Sequence, residues 1–465
     1  MAEKIKAPPG IRSTAPGIIW PAIVSPVDAE LLALQYQLEK SQWFSSEKLA
    51  DLQLQQAASL LQHALNSVPY YQQRKPAYQA ADGKPLDWNA WRSLPLLEKK
   101  ELQRSNDEFV SSAIPPAHLP LSAGTTSSTT TPVYNIKTRV TGLMWMACSL
   151  REHMWHDYVF GTRLAVIKYF DDPAIRSPQG ARQDGWGQST DMLLPRGNTV
   201  LFDIRHTIEE QLAWLVKQQP DYLVSYPSNL AALAEASIAS GTELKSLRSI
   251  STLGEILTPA YRELFRKAWG VEAHDIYSSE EIGFMAVQCP TAEHYHVQSE
   301  HVLLEVLDDN GQPCKPGEVG RVVVTTLNNF AKPLIRYVIG DYAEVGSACA
   351  CGRGLPVINR VVGRVRNMFM RPDGQVFWPV MPDPGEEFSS KMPAVRQYQY
   401  VQKALDWIEI RVALEGDPYP ADMEAAIMKA MQKTYGYPFR ITFAYMKEIP
   451  SRGREKYEEF LSELC

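Results

Sequence analysis

The chain has 465 residues, 45% hydrophobic and 22% charged, with a formal net charge of −6. That length exceeds what one core usually supports, so a large domain and at least one smaller one are expected. The mild negative charge and the lack of a basic run speak against a nucleic-acid binder, and six cysteines in so long a chain are not a disulfide framework.

Residues 1–28 are rich in Pro and Gly and read as an arm over the surface, with no apolar run of signal-peptide type. The most apolar stretch, "GLMWMACSL", meets Arg151 and Glu152 too early to span a bilayer, so a soluble, cytoplasmic protein is expected. From Asp28 the pattern is helical. Leu54, Ala57, Leu61, Leu65 and Val68 recur on one face, and Pro69 ends the run. From Arg163 strands and helices alternate. "RLAVIKYF", "DYLVSYP", "LRSISTLGE" and "AHDIYSS" read as strands; "SNLAALAEASIAS", stopped by Gly241, and "PAYRELFRKAWG" read as helices. Such spacing implies a parallel sheet with crossover helices.

After Pro290 the character becomes β. Two strands flank Asn310-Gly311, a hairpin-turn dipeptide, and "NMFMRPDGQVFWP" reads as a second hairpin. "WIEIRVAL", "ADMEAAIMKAMQKTYG" and "FRITFAYM" then form a β-α-β unit. The expected fold class is α/β: a large N-terminal domain of mixed sheets and helices over 1–362 and a small C-terminal α+β domain over 363–465.

"LPLSAGTTSSTTTPVYN", residues 119–135, is one glycine among hydroxyls. Hydroxyls and backbone N–H groups can converge on phosphate oxygens, although a solvated polar loop has the same composition. No Walker lysine follows, so this is not a P-loop. Taken in order, "SAGTTSSTTTP", "STLGE", "DIYSSEEIG", "IRYVIGD", "VVGRVRNMF" and "IPSRGREK" resemble the motif series of the adenylate-forming (acyl- and aryl-CoA synthetase) superfamily. "LQYQLEKSQWFSSEKLADLQ" and "HALNSVPYY" are similar to its phenylacetate-CoA ligase and capsule-type branch.

The resemblance implies a role for each matching residue. Ser122, Gly124, Thr125 and Thr126 match the phosphate-cradling loop, although Ala123 and Ser127 differ and three extra residues precede Pro132. Glu281 matches the glutamate that holds Mg²⁺, and Tyr277 the tyrosine against adenine; Glu280 replaces a threonine and adds a charge near the phosphates. Asp341 matches the aspartate that takes the ribose hydroxyls, and Gly254 and Glu255 an adenine-contacting turn. Arg364 matches an arginine at the domain junction, followed here by Arg366 and Asn367 rather than acidic residues. Lys456 matches the catalytic lysine, carried by a small C-terminal domain that is mobile in the family. Tyr226, Trp155 and Trp186 are candidates to line the acid pocket, although aromatics in an α/β core are more often packing.

Cys289, His294, His296, Cys349 and Cys351 form a second constellation. Three thiolates and one imidazole make a closed, structural zinc site, while the plain alternative is buried thiols and surface histidines. Some members of the resembling branch carry a similar set, which puts zinc on equal footing with buried thiols; His296 is the candidate imidazole, although either histidine could serve.

The resemblance thus implies activation of a carboxylic acid, aryl by preference, with ATP and Mg²⁺ and then acyl transfer to coenzyme A. The alternatives are transfer to a carrier-protein thiol or an amine, or a nucleotide-binding descendant without catalysis. No nucleic-acid or membrane partner is expected.

Overall fold

The computed structural model describes residues 10–78, 86–104, 106–125, 133–364, 368–377, 379, 395–414, 416–447, 449 and 459–464. The chain divides into two compact units, Met1–Val362 and Gly363–Cys465.

Parallel pairing organises the first unit. Strands Asn198–Asp203, Arg163–Lys168, Tyr222–Ser225, Ser249–Leu253 and Glu272–Ser279 lie side by side. They carry few charges because helices cover both faces. On one face, helices Ile208–Gln218, Pro227–Ser240 and Pro259–Trp269 bury Leu215, Leu230, Leu233 and Phe265 against Ile167, Leu223 and Ile250. On the other, helices Pro26–Ser41 and Arg139–Trp155 bury Leu31, Leu38, Ala147 and Leu150 against Leu164 and Tyr222. The second of these contains "GLMWMACSL". It is a core helix, begun by a capping box of Thr138 and Thr141, and no helix among the described residues is long and apolar enough to cross a membrane.

Antiparallel strands extend this sheet to twelve. Gly283–Gln288 returns along Glu272–Ser279 and is followed by Tyr295–Val297, Val357–Arg364, Tyr337–Val345, Val319–Thr326 and Val302–Leu307, while Ala181–Asp184 pairs with Asn198–Asp203 at the opposite edge. The two strands expected around Asn310-Gly311, Val302–Leu307 and Val319–Thr326, pair antiparallel. That dipeptide lies within the longer 308–318 connection, in a local turn where Asp308 Oδ1 accepts from the backbone N–H of Asn310 (2.9 Å) and Gln312 (2.7 Å).

The second unit pairs Arg440–Tyr445, Trp407–Leu414, Val395–Ala404 and Phe460–Ser462 in that order, with Trp407–Leu414 and Arg440–Tyr445 parallel. Helix Ala421–Tyr435 buries Met423, Ile427 and Met431 against Ile408 and Ile410. Val395–Ala404 is a strand that the periodicity did not announce. The Pro-Asp-Gly hairpin is present, with Phe369 opposite Phe377.

Glu152, near the end of helix Arg139–Trp155, is only 2% exposed. Burial raises its carboxyl pKa to about 8, against hydrogen bonds from Tyr158 and Ser251 that pull it down. The unfolded chain sheds this proton near pH 4.5 and the folded chain keeps it to about 8, so stability falls as pH rises through that window. Glu152→Gln keeps the volume and removes the ionisation. Its melting temperature should match the parent near pH 5 and exceed it by several degrees at pH 9. A gap between the two proteins that stays constant with pH would show Glu152 already ionised in the native state.

Candidate active site

Open α/β sheets place ligands at the carboxyl ends of their parallel strands. Here Ser225 leads into Tyr226, Leu253 into Gly254 and Glu255, and Ser279 into Glu280 and Glu281. Gly254 has φ +79°, a conformation that costs little only for glycine, so the chain can turn as the strand ends. The Glu255 carboxylate accepts from the backbone N–H of Ser228 (3.0 Å), in the first turn of helix Pro227–Ser240, where the helix dipole favours an anion. Tyr226 immediately precedes that helix and is buried.

Tyr277 and Asp341 come from strands that are remote in the chain. The Tyr277 hydroxyl donates to Asp341 Oδ2 at 2.7 Å, and both side chains are buried. A β-bulge at Tyr277 and Ser278 shifts the register there, which re-aims side chains at the strand end. Asp341 is placed by its own motif. Arg336, at φ +49°, is buried; it pairs with Glu305 (3.2 Å) and donates to the carbonyls of Arg92 and Leu94 (2.6 Å each). The arginine of "IRYVIGD" is therefore an internal anchor for the strand that delivers Asp341.

Glu280 and Glu281 turn in opposite senses. Glu281 is 8% exposed, and its Oε1 lies 3.9 Å from Lys99 Nζ. Glu280 is exposed and pairs with Lys137 (3.4 Å), while its backbone carbonyl accepts from Asn135 Nδ2 (2.6 Å). Nothing in "EKKEL" announces the approach of Lys99 to Glu281.

Ser122, Gly124 and Thr125 lie on strand Pro120–Thr125, which pairs antiparallel with Tyr134–Thr138; Thr125 faces Tyr134 and Ser122 faces Lys137. These two paired strands flank the rest of the hydroxyl segment, which lies outside the described residues. Strand Tyr134–Thr138 is held from beneath: Asn329 Nδ2 donates to the Ile136 carbonyl (3.1 Å) and the buried Lys332 ammonium to that of Tyr134. Burial lowers the Lys332 pKa to about 8. Thr126 and Lys456 lie outside the described residues. Arg364 is the last residue of strand Val357–Arg364 and falls in the second unit. Trp155 Nε1 donates to Gln42 Oε1 (2.9 Å) and Trp186 Nε1 to the Thr162 carbonyl (3.0 Å), and both side chains are buried.

A compact cluster gathers Cys289, His296, Cys349 and Cys351, with all four ligand atoms within 4.8 Å of one another. Cys289 Sγ is 3.7 Å from Cys349 Sγ, and Cys351 Sγ is 3.4 Å from His296 Nε2. His296 Nδ1 lies 3.4 Å from the Leu355 carbonyl. Burial pushes the Cys349 thiol up to about 12, outweighing the Cys351 N–H that donates to its sulfur (3.3 Å), and lowers His296 to about 4. His294 is not in the cluster, although its ring centroid is 5.4 Å from that of His296.

No family model matches the chain. The phenylacetate-coenzyme A ligase of Thermus thermophilus is 32% identical over 169 residues, an alignment spanning 35% of this chain and 38% of that protein. Those of Escherichia coli and Pseudomonas putida are each 25% identical, over 82% of this chain and 85% of theirs. A crystal structure of 2-hydroxyisobutyryl-CoA ligase in the postadenylation state, in complex with R3-HIB-AMP, matches with TM-score 0.69 and 17% identity over 91% of this chain and 92% of that one. The relatives it resembles are named phenylacetate-coenzyme A ligases, and the fold it shares is that of acyl-CoA ligases. An anthranilate CoA ligase in complex with anthranoyl-AMP shares the fold more distantly, with TM-score 0.53 and 17% identity over 76% of this chain and 68% of that one.

Proposed function

We propose that this chain is an AMP-forming acid–CoA ligase of the cytoplasm whose preferred substrates are aryl acids. The observation that carries the reading is the bond between Tyr277 and Asp341, with the buried Glu281 just beyond the end of the strand that carries Tyr277. A carboxylate is a poor electrophile because its charge is delocalised. Attack of its oxygen on the α-phosphorus of ATP breaks the bond to pyrophosphate and leaves the acyl group on AMP. The thiol of coenzyme A then attacks the carbonyl carbon and AMP departs.

Each residue has a part. Asp341 can accept from two ribose hydroxyls, with Tyr277 fixing the orientation of its carboxylate through the 2.7 Å bond. The Tyr277 ring and the Gly254–Glu255 turn suit the flat face and edge of adenine. Ser122, Gly124, Thr125 and Thr126 cradle phosphate oxygens, and Tyr226 borders the acid. Glu281 fits a Mg²⁺ ligand, being a hard, nearly buried carboxylate whose Lys99 contact, at 3.9 Å, leaves its oxygens available. The ion would neutralise triphosphate charge. Lys456 offsets charge developing between carboxylate and phosphate, and Arg364 serves the junction between units.

The cysteine–histidine cluster suits zinc. Zn–S bonds of about 2.3 Å and Zn–N bonds of about 2.05 Å set tetrahedral edges of roughly 3.8 Å between sulfurs and 3.5 Å between sulfur and nitrogen. The 3.7 and 3.4 Å spacings agree with those edges. His296 Nδ1 faces a carbonyl, which leaves Nε2 for the metal. With four protein ligands the ion is structural.

The test is pyrophosphate release with ATP, Mg²⁺ and a panel of aryl and fatty acids, with and without coenzyme A. Acid-dependent release with a thioester formed only when coenzyme A is present is the expected result. Release without thioester would indicate a carrier-protein thiol or an amine as acceptor. Silence with every acid, while ATP still binds, would indicate a nucleotide-binding descendant.

A further inference from the structure

Strand Arg163–Lys168 is central in the parallel array, and Lys168 is its last residue, at the ligand-binding end. The side chain is half-buried, and its ammonium has no hydrogen-bond or ion-pair partner among the described residues; the Phe170 ring lies 5.2 Å from it. Burial lowers its pKa, which nearby Glu280 raises and Lys137 lowers further. Desolvating a lysine without a paired carboxylate is unfavourable, and such a group at a strand end is suited to a ligand's negative charge.

Its surroundings fit that role. Lys137 stands on strand Tyr134–Thr138, opposite Ser122, and is bonded to Glu280 at 3.4 Å. Glu280 is the carboxylate by which this chain departs from the motif it otherwise matches. Lys137 balances that extra charge, so the group Lys137, Glu280 and Lys168 is net positive beside that strand. Two cations around one acid attract an oxyanion, whereas Glu280 alone would repel it.

Resting on the adenylating reading above, we propose that Lys168 is an oxyanion-binding residue of this site, taking either a phosphate oxygen of the nucleotide or the carboxylate of the acid. Lysine presents a mobile point charge with three donors, which suits a monodentate oxygen of either kind.

Lys168→Met removes the charge at similar length, and Lys168→Arg restores charge. Calorimetric titration with Mg·ATP, in the absence of acid, reads the nucleotide arm. The KM for the best acid of the panel, at saturating ATP, reads the other. For a phosphate contact, Lys168→Met weakens Mg·ATP at least tenfold and Lys168→Arg recovers most of it. For a carboxylate contact, Mg·ATP binding is unchanged and the acid KM rises at least tenfold, again with recovery by arginine. Changes below threefold in both, in a variant with the parent melting temperature, overturn the inference and leave the adenylating reading intact. A parent protein that binds no Mg·ATP overturns both.

Discussion

Glu281→Gln will lower acid-dependent pyrophosphate release by roughly 10²–10³-fold, the range found when one preorganised group that stabilises developing charge is removed. Glutamine keeps the shape and most of the hydrogen bonding but cannot supply a charged hard-oxygen ligand. The Lys99 ammonium, 3.9 Å from Oε1, would then face no countercharge at that position. The loss should appear mainly in kcat, with a higher Mg²⁺ concentration needed for half-maximal rate. The neighbouring Glu280→Gln is the control. Its pair with Lys137 is exposed, and such pairs are worth ~0.2–1 kcal/mol, so it should change the rate by less than about fivefold. Equal losses in the two variants would remove Glu281 from the metal.

The second large effect is on stability. Chelation, or Cys351→Ser, should take the chain from about one zinc per molecule to none and lower its melting temperature by many degrees. Metal binding in such sites contributes directly to folding. The loss should reach beyond the cluster, because the segment that carries two of its thiols also holds the N-terminal helices. The Gly354 N–H donates to the Gln42 carbonyl (2.9 Å), and Arg353 sits over both Trp43 (4.9 Å) and Trp155 (4.4 Å). A Cβ on Gly354 would come within 1.8 Å of the Phe44 carbonyl oxygen, so that approach has no slack. Hydrogen exchange around Gln42–Ser45 should therefore quicken once zinc is removed. A protein purified without zinc, and unmoved by chelator, would return these cysteines to ordinary buried thiols.

The two histidines of "EHYH" show how far pattern carries an argument. Alternation along an extended segment puts His294 and His296 on the same face, so spacing cannot choose between them. The choice falls to His296 because its strand pairs with Val357–Arg364, opposing Val357, close behind the loop that carries Cys349 and Cys351. "IRYVIGD" shows the same limit. Its arginine is an internal anchor whose partners lie 31 to 244 positions away, which no local pattern announces.

By itself the sequence determined the alternation of strands and crossover helices, the small α+β unit, and the three cysteines that meet in the cluster, but not the choice of imidazole. These rest on local periodicity, turn chemistry and residue type, which are properties of short windows. Only the tertiary structure decided that Tyr277 bonds Asp341 across 64 positions, that Lys99 stands against Glu281, that Trp155 and Trp186 are buried and hydrogen-bonded, and that Lys168 has no ion-pair partner among the described residues. Those facts depend on strand order, register and burial, and a side chain's surroundings are fixed by which remote segments close over it rather than by its neighbours in the chain.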